Sequence, residues 1–309
     1  MAINDIIAQV QTRIPAWQGK TLAVEPLHGG ITNQNYKITI DDTAFVMRVC
    51  APNVGIHGIN RQNEYQCAQA AGSIGIAPPL FAFLGNLPEG HDVMINHFIA
   101  GQTLTSTQIG SPLYLPKITD LLQRYHGLTE FAGRFDVFQI FENGLAFAQQ
   151  QNAPLPPFID QVQEEMQRIK TALQRHPIQL AACHNDLLAA NFLLDETGRI
   201  WLIDWEYAGW GDPFFDLGNL SINNAFDDTQ DEALLFHYFE AIKTSDLARL
   251  KLMKIVSDAR EGIWAMVQWG ISDLEFDFAA YGNRHLERFI TNCAAPAVTN
   301  WLDEVQTAS

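Results

Sequence analysis

Cysteine is scarce in this sequence: Cys50, Cys67, Cys183 and Cys293 lie far apart, with neither a CxxC pair nor zinc-ligand spacing. That argues against a disulfide-stapled scaffold or a zinc ribbon and reads as free thiols in a reducing compartment, the cytoplasm. Apolar runs long enough to cross a bilayer are lacking, so no membrane span is expected. The start, MAINDIIAQVQTRIPAW, has an early aspartate and lacks the basic-then-apolar layout of a secretory signal. Positive charge is also sparse: 19 lysines and arginines stand against 35 aspartates and glutamates, a formal charge of −16, with no basic block. A nucleic-acid backbone or an anionic membrane surface is therefore a poor partner, and a cationic small molecule a better one.

What is present is a chain of 309 residues, 47% of them hydrophobic, long enough for two domains or one two-lobed unit with a substantial core. An amphipathic helix is expected near residues 3 to 12. NYKITI and AFVMRVC are β-rich runs joined at Asp41, Asp42 and Thr43, a tight-turn composition. Asn60 is placed to cap a helix through RQNEYQCAQAA that Gly72 would end. PPLFAFLG and DVMINHFIAG read as two more strands around Pro88, Glu89 and Gly90.

From residue 112 the texture changes. YLPKITDLLQRYHGL, FIDQVQEEMQRIKTALQRH, DEALLFHYFEAI and ARLKLMKIVSDAREGIWAMVQWG all carry apolar residues at helical spacing. The exceptions are NFLLD and RIWLIDW, which read as a β-hairpin turning at Glu196, Thr197 and Gly198. No internal repeat is visible, and the glutamine-rich stretch from 149 to 157 reads as a loop. The pattern predicts an α+β architecture, with a sheet-rich first part and a helical second part.

The densest cluster of chemistry is CHNDLLAANFLLDETGRIWLIDWEY, residues 183 to 207. Asp186 is expected in a loop after a helix, Asn191 at the opening of the hairpin and Asp204 at its end, so that the fold of the hairpin brings Asn191 and Asp204 together. Hard oxygen ligands of this kind suit Mg²⁺, which favours carboxylates, water and phosphate oxygens. Phosphoryl transfer needs such an ion on the phosphates and an acceptor oriented for in-line attack. Asp186 is the candidate to take the acceptor's proton.

The pattern His184-x-Asp186-x4-Asn191, followed by an apolar strand and IDWEY, resembles the choline/ethanolamine kinase family, within the aminoglycoside-phosphotransferase and protein-kinase-like group. The resemblance implies a two-lobed protein-kinase-like fold, with a small antiparallel-sheet N-lobe carrying one main helix and a larger, mainly helical C-lobe. Residues 1–97 would clamp the ATP phosphates, and residues 98–309 would carry the catalytic loop, metal site and substrate pocket. ATP and Mg²⁺ are the implied cofactors. Asp186 becomes the catalytic base in contact with substrate, Asn191 and Asp204 the metal ligands, and Glu206 a further substrate residue. His184 and Asp216 would brace the catalytic loop rather than react.

In LHGGITNQNYKI the chain lacks GxGxxG but resembles the family's GG-x-[ST]-N loop, which puts Gly29, Gly30, Thr32 and Asn33 on phosphate. Arg48 stands where protein kinases use a strand lysine, with Glu64 as its helix partner. INHFIAG resembles the segment that meets adenine, through His97, Phe98 and Ile99.

Residues 261 to 289 are similar to the family's amine-binding helix and the aromatic stretch after it. Trp264, Phe276, Phe278 and Tyr281 would form an aromatic cage for a cation. Two departures stand out: Glu261 replaces a tryptophan of the family pattern, and Asn223 replaces an acidic residue. Glu261 would then supply the charge that Asn223 lacks. The implied activity is phosphorylation of a small amino alcohol, with choline or ethanolamine first. Thiamine, an aminoglycoside or another small alcohol is the alternative acceptor, and a non-catalytic pseudokinase the alternative class. No nucleic-acid or membrane partner is expected, and the chain would act as a monomer or homodimer.

Overall fold

The computed structural model describes residues 3–27, 33–50, 55, 58–87, 90–272 and 274–307. The chain opens on helix α1 (Ile3–Arg13), followed by β1 (Ala23–Leu27), β2 (Gln34–Ile40), β3 (Thr43–Val49), α2 (Arg61–Ser73), β4 (Leu80–Leu84) and β5 (Val93–His97). These five strands form one antiparallel sheet in the order β1-β2-β3-β5-β4. Its tight β2–β3 turn works because Asp41 and Asp42 both adopt positive φ, 46° and 65°, a conformation short polar side chains tolerate best after glycine. Asn60 caps α2 as expected, its side chain accepting from the amides of Gln62 and Asn63.

Strand alternation decides what each face of the sheet does. On β3, Phe45, Met47 and Val49 are buried in a cluster with Ile38, Ile95 and Trp17, and α1 closes that cluster with Ile6 and Val10. Arg48, between two of them, points to the opposite face. The helices α1 and α2 therefore have separate duties: α1 seals the back of the sheet, while Ala68 and Ala71 of α2 join the core of the helical part.

Beyond the sheet come β6 (Gly101–Thr103), α3 (Ser106–Ile109), α4 (Leu115–His126), α5 (Val137–Gln150), α6 (Ile159–Leu173) and β7 (Ala181–Cys183). Then follow β8 (Phe192–Asp195), β9 (Ile200–Leu202), β10 (Gly209–Gly211), α7 (Pro213–Asn223), α8 (Asp228–Phe239), α9 (Thr244–Ile271), α10 (Phe278–Cys293) and α11 (Ala297–Thr307). The expected β8–β9 hairpin forms, and β6 adds a third strand to it. Strands β7 and β10 pair separately.

The sequence pattern did not single out α5 and α7. Helix α7 is buried from Phe214 through Ser221, so no polar face marks its period. Helix α5 carries Gly144 mid-helix, where it lies against Ile263 of α9. The 28-residue α9 runs through the helical part and packs on α5, α7, α10 and α11. Among the described residues, no helix is long and apolar enough to cross a membrane.

Candidate active site

The loop after β7 is built by α7. Asp216 accepts the backbone amides of His184 at 2.9 Å and Asn185 at 2.6 Å, and Asn219, one turn on, accepts that of Leu187 at 2.5 Å. Two polar residues at i and i+3 share one helix face, so an apolar helix presents both to the same loop. Tyr125 and His126 complete the shell of Asp216, at 2.7 and 3.0 Å. Burial opposes the charge of Asp216, yet the bonds from His126 and Tyr125 hold its carboxyl below the usual range. His126, Cys183 and Asp216 lie close enough to suggest a metal cluster. The oxygens of Asp216 are already taken by four donors, and burial raises the Cys183 thiol, so this cluster reads as a hydrogen-bonded brace.

His184 is fully buried. Its Nε2 bonds to the Ile203 carbonyl at 2.9 Å, and its Nδ1 accepts the Asp186 amide at 3.3 Å. Burial pushes its pKa down, so the ring stays neutral and ties the loop to the strand. Asp186 itself follows strand β7, not a helix as the sequence pattern suggested, because residues 177 to 180 separate α6 from a short strand. Burial pushes its carboxyl up to about 8, with Arg260 pulling it down against the charges of Glu261, Asp204 and Glu206.

Asn191 closes a short 3₁₀ turn just before β8. Its Nδ2 donates to the Asp186 carbonyl at 2.8 Å and more weakly to Asp186 Oδ2 at 3.4 Å, which leaves Oδ1 as its free ligand atom. The Ile203 amide donates to the Asn191 carbonyl at 2.9 Å, so the hairpin fold brings Asp204 alongside. Asp204 lies two residues beyond β9 with φ at 66°, a left-handed conformation rare for an L-residue and concentrated at functional sites. Its side chain is 34% exposed, and one oxygen is held by Arg48 at 2.6 Å. An amide oxygen and a partly exposed carboxylate, adjacent and hard, are a donor set that fits Mg²⁺.

From the sheet, Arg48 reaches Glu64 of α2 as well as Asp204, so the anticipated strand–helix ion pair is present and continues to the hairpin. A residue the sequence reading missed completes this network. Arg61 is 8% exposed and uses Nη1 on Glu64 at 2.7 Å and on Glu206 at 3.0 Å, while Nη2 donates to Asn33 Oδ1 at 3.1 Å. Asn33 Nδ2 in turn donates to Glu206 at 3.1 Å. Burial opposes the Glu206 charge, but Arg48 and Arg61 hold its carboxyl below the usual range. The available signal was the spacing of Arg61 and Glu64, one helical turn apart.

Asn33 is thus tied to the network, whereas Gly29, Gly30 and Thr32 lie outside the described residues. The amides of His97 and Phe98 donate to the carbonyls of Pro79 and Ala44, at 2.9 and 3.0 Å. At those two positions the backbone amides are therefore not available to a base.

On the far wall, α9 and α10 approach so closely that a Cβ on Gly262 would lie 2.6 Å from Leu286 Cγ, and one on Gly282 2.9 Å from the Gly262 carbonyl. That crossing sets Tyr281 against Glu261, with a hydrogen bond of 2.8 Å. Trp264 meets Phe278 and Tyr281 edge-on at 6.0 and 6.4 Å between ring centroids, and Phe276 meets Phe278 and Tyr281 at 4.8 and 5.6 Å. The four aromatics named from the sequence are gathered, but unequally: Phe278 is buried while Phe276 is 44% exposed. Arg260, also missed, pairs with Glu261 at 2.9 Å.

A five-stranded antiparallel sheet whose strand arginine pairs with a helix glutamate, facing an HxD-loop and a hairpin aspartate over a helical body, is a kinase-like phosphotransferase fold. The sequence profile described as choline/ethanolamine kinase matches residues 24–246, and the chain belongs to that family. It is a phosphotransferase with an alcohol as acceptor. A protein of Arabidopsis thaliana named as a probable ethanolamine kinase is 27% identical over 294 residues, 84% of this chain and 76% of that one. The crystal structure of a choline/ethanolamine kinase family protein from Mesorhizobium loti superposes with a TM-score of 0.82 at 29% identity, covering 99% of this chain and 100% of that one. The choline kinase LicA from Streptococcus pneumoniae shares the fold, with a TM-score of 0.77 at 24% identity over 93% of this chain and 99% of that one.

Proposed function

We propose that the protein transfers the γ-phosphoryl group of ATP, with Mg²⁺, to the hydroxyl of a small amino alcohol, choline or ethanolamine first. The observation that carries this reading is the 2.6 Å contact of Arg48 with Asp204, which joins the sheet's arginine–glutamate pair to the hairpin beside Asp186 and Asn191. Residues 1–97 form the nucleotide clamp in this reading, and residues 98–309 supply the reacting groups and the acceptor pocket.

Mg²⁺, when bound, neutralises the phosphate charge, and Asp204 with Asn191 Oδ1 would hold it. Arg48, fixed by Glu64, presents its guanidinium to the phosphates. Asp186 takes the acceptor's proton as the hydroxyl oxygen bonds to the γ-phosphorus and the bond to the ADP leaving oxygen breaks. Its raised affinity for a proton suits that task. Glu206 shapes the floor of the site, and the rings of Trp264, Phe276 and Tyr281 offer the ammonium an aromatic face. Four buried free thiols accord with action in a reducing compartment.

The test is ADP release from ATP and Mg²⁺ across choline, ethanolamine, thiamine and several aminoglycosides. Turnover is expected with an amino alcohol and not without Mg²⁺. Release that ignores every acceptor, or that persists in excess chelator, would overturn the proposal.

A further inference from the structure

Arg260 is the charge in the pocket that a receptor for choline or ethanolamine does not need. It is 3% exposed, sits on α9 next to Glu261, and stacks its guanidinium over the Tyr207 ring at 4.2 Å. Nη1 is paired with Glu261, but Nη2 is buried with no hydrogen-bond partner. A buried charged donor left unpaired is costly, so such groups are normally satisfied by protein, water or ligand. It pairs with Glu261, stacks on Tyr207 and lies within electrostatic reach of Asp186.

We infer that the acceptor is a zwitterionic amino alcohol, its ammonium on Glu261 and the aromatic face, its carboxylate on Arg260 Nη2. The inference rests on the kinase reading of this site and narrows its substrate class. Glu261 is suited to its half of the task because Tyr281 donates to Oε1 at 2.8 Å and Arg260 to Oε2, fixing the carboxylate in place. The two adjacent residues present opposite charges side by side, with Arg260 Nη1 2.9 Å from Glu261 Oε2, and so match a ligand that carries both signs. Glu261 stands where the family pattern has a tryptophan, so at that position a ring that recognises only a cation has given way to a charge. The hydroxyl of the same molecule then faces Asp186. The chemistry is unchanged: the hydroxyl oxygen bonds to the γ-phosphorus, the bond to ADP breaks, and the proton goes to Asp186.

The probes are L-serine and L-homoserine, their methyl esters, ethanolamine and choline, with ADP release read on the full chain in ATP and Mg²⁺. Each ester keeps the ammonium and hydroxyl but loses the anionic oxygen. The wild-type protein is expected to favour the free acid over its ester, and over ethanolamine, by about 10- to 100-fold in kcat/KM, the range of one charge-assisted hydrogen bond. In Arg260→Gln that preference should fall to near unity, with Arg260→Lys retaining part of it. Glu261→Gln should instead weaken acid and ester alike.

The wild-type comparison needs no variant, so a poorly folding Arg260→Gln does not rescue the inference. Turnover of choline or ethanolamine with none of either hydroxy acid would overturn it and leave the kinase reading standing. Equal losses for acid and ester in Arg260→Gln would also overturn it, marking Arg260 as structural or as a contact of the transferred phosphoryl. No ADP release with any of the six would overturn the inference together with the amino-alcohol reading on which it rests.

Discussion

Arg61→Met removes the most connected cation of the site while keeping side-chain volume. In the wild type its guanidinium serves Glu64, Glu206 and Asn33 together, and both carboxylates are almost fully buried, at 1% and 7% exposure. After substitution Glu64 keeps Arg48, but Glu206 is left with the amide of Asn33 and the more distant charge of Arg48. Removing one partner of a buried ion pair costs about 3 to 5 kcal/mol, because the remaining charge is desolvated without compensation. Adding Glu206→Gln removes that orphaned charge, so the double variant should recover about 1 to 3 kcal/mol of the loss, a coupling of the size expected for residues in one network.

The pH dependence follows from the sign of the Glu206 shift. A carboxyl held below its unfolded value contributes stability above about pH 4.3, lost as pH falls through the folded value. In Arg61→Met the part of that contribution that Arg61 supplies is lost while Arg48 still lowers the carboxyl, so the gap between wild type and variant should be widest near neutrality and narrow below about pH 4. Urea unfolding of wild type, both single variants and the double, at pH 7 and pH 3.5, measures every quantity. A loss under about 1 kcal/mol at pH 7, or one of equal size at both pH values, would refute the assignment of Arg61 as the buried counter-ion.

Four further outcomes are expected. Asp186→Asn should lower kcat about 10²- to 10⁴-fold with nucleotide binding nearly intact, since a positioned general base is worth that much; a variant keeping more than about a tenth of wild-type kcat contradicts the role. Asp204→Ala should lose Mg²⁺-dependent ATP binding more completely than Asn191→Ala, because a carboxylate brings full charge and an amide only a dipole; Mg²⁺ titration of each variant decides it. Trp264→Ala should cost about 0.5 to 2 kcal/mol in binding of the amine and leave KM for ATP unchanged, and a shift in the ATP value would return the ring to a purely packing role. Asp216→Asn should destabilise the chain by about 3 to 5 kcal/mol and depress kcat, since one oxygen cannot accept the four bonds that Asp216 accepts; a melting temperature within a degree of wild type would contradict this.

Much of the site was legible in the primary structure because it lies in one hairpin. Asp186, Asn191 and Asp204 fall within nineteen positions, and a turn at Glu196, Thr197 and Gly198 folds Asn191 toward Asp204 by local geometry alone. The β2–β3 turn, the Asn60 cap and the amphipathic α4, α6 and α9 were equally readable, since each is written in spacing and turn chemistry over fewer than thirty residues. Strand β7 was not, because three residues carry no period, and α7 was not, because a helix buried on every side has no polar face to reveal one.

The sequence by itself nominated the groups proposed to carry the chemistry: the HxD-loop, the hairpin aspartate, Arg48 with Glu64, and the late aromatic stretch with Glu261. Only the tertiary structure decided how they are held and charged. Arg61 is an ordinary helix arginine until Glu206, 145 residues away, arrives against it. Arg260 is one more charged residue of α9 until the Gly262–Gly282 crossing and the Tyr207 ring enclose it with one nitrogen unpaired. A charge acquires its worth from what surrounds it, and burial and long-range pairing are properties of packing that no local pattern contains.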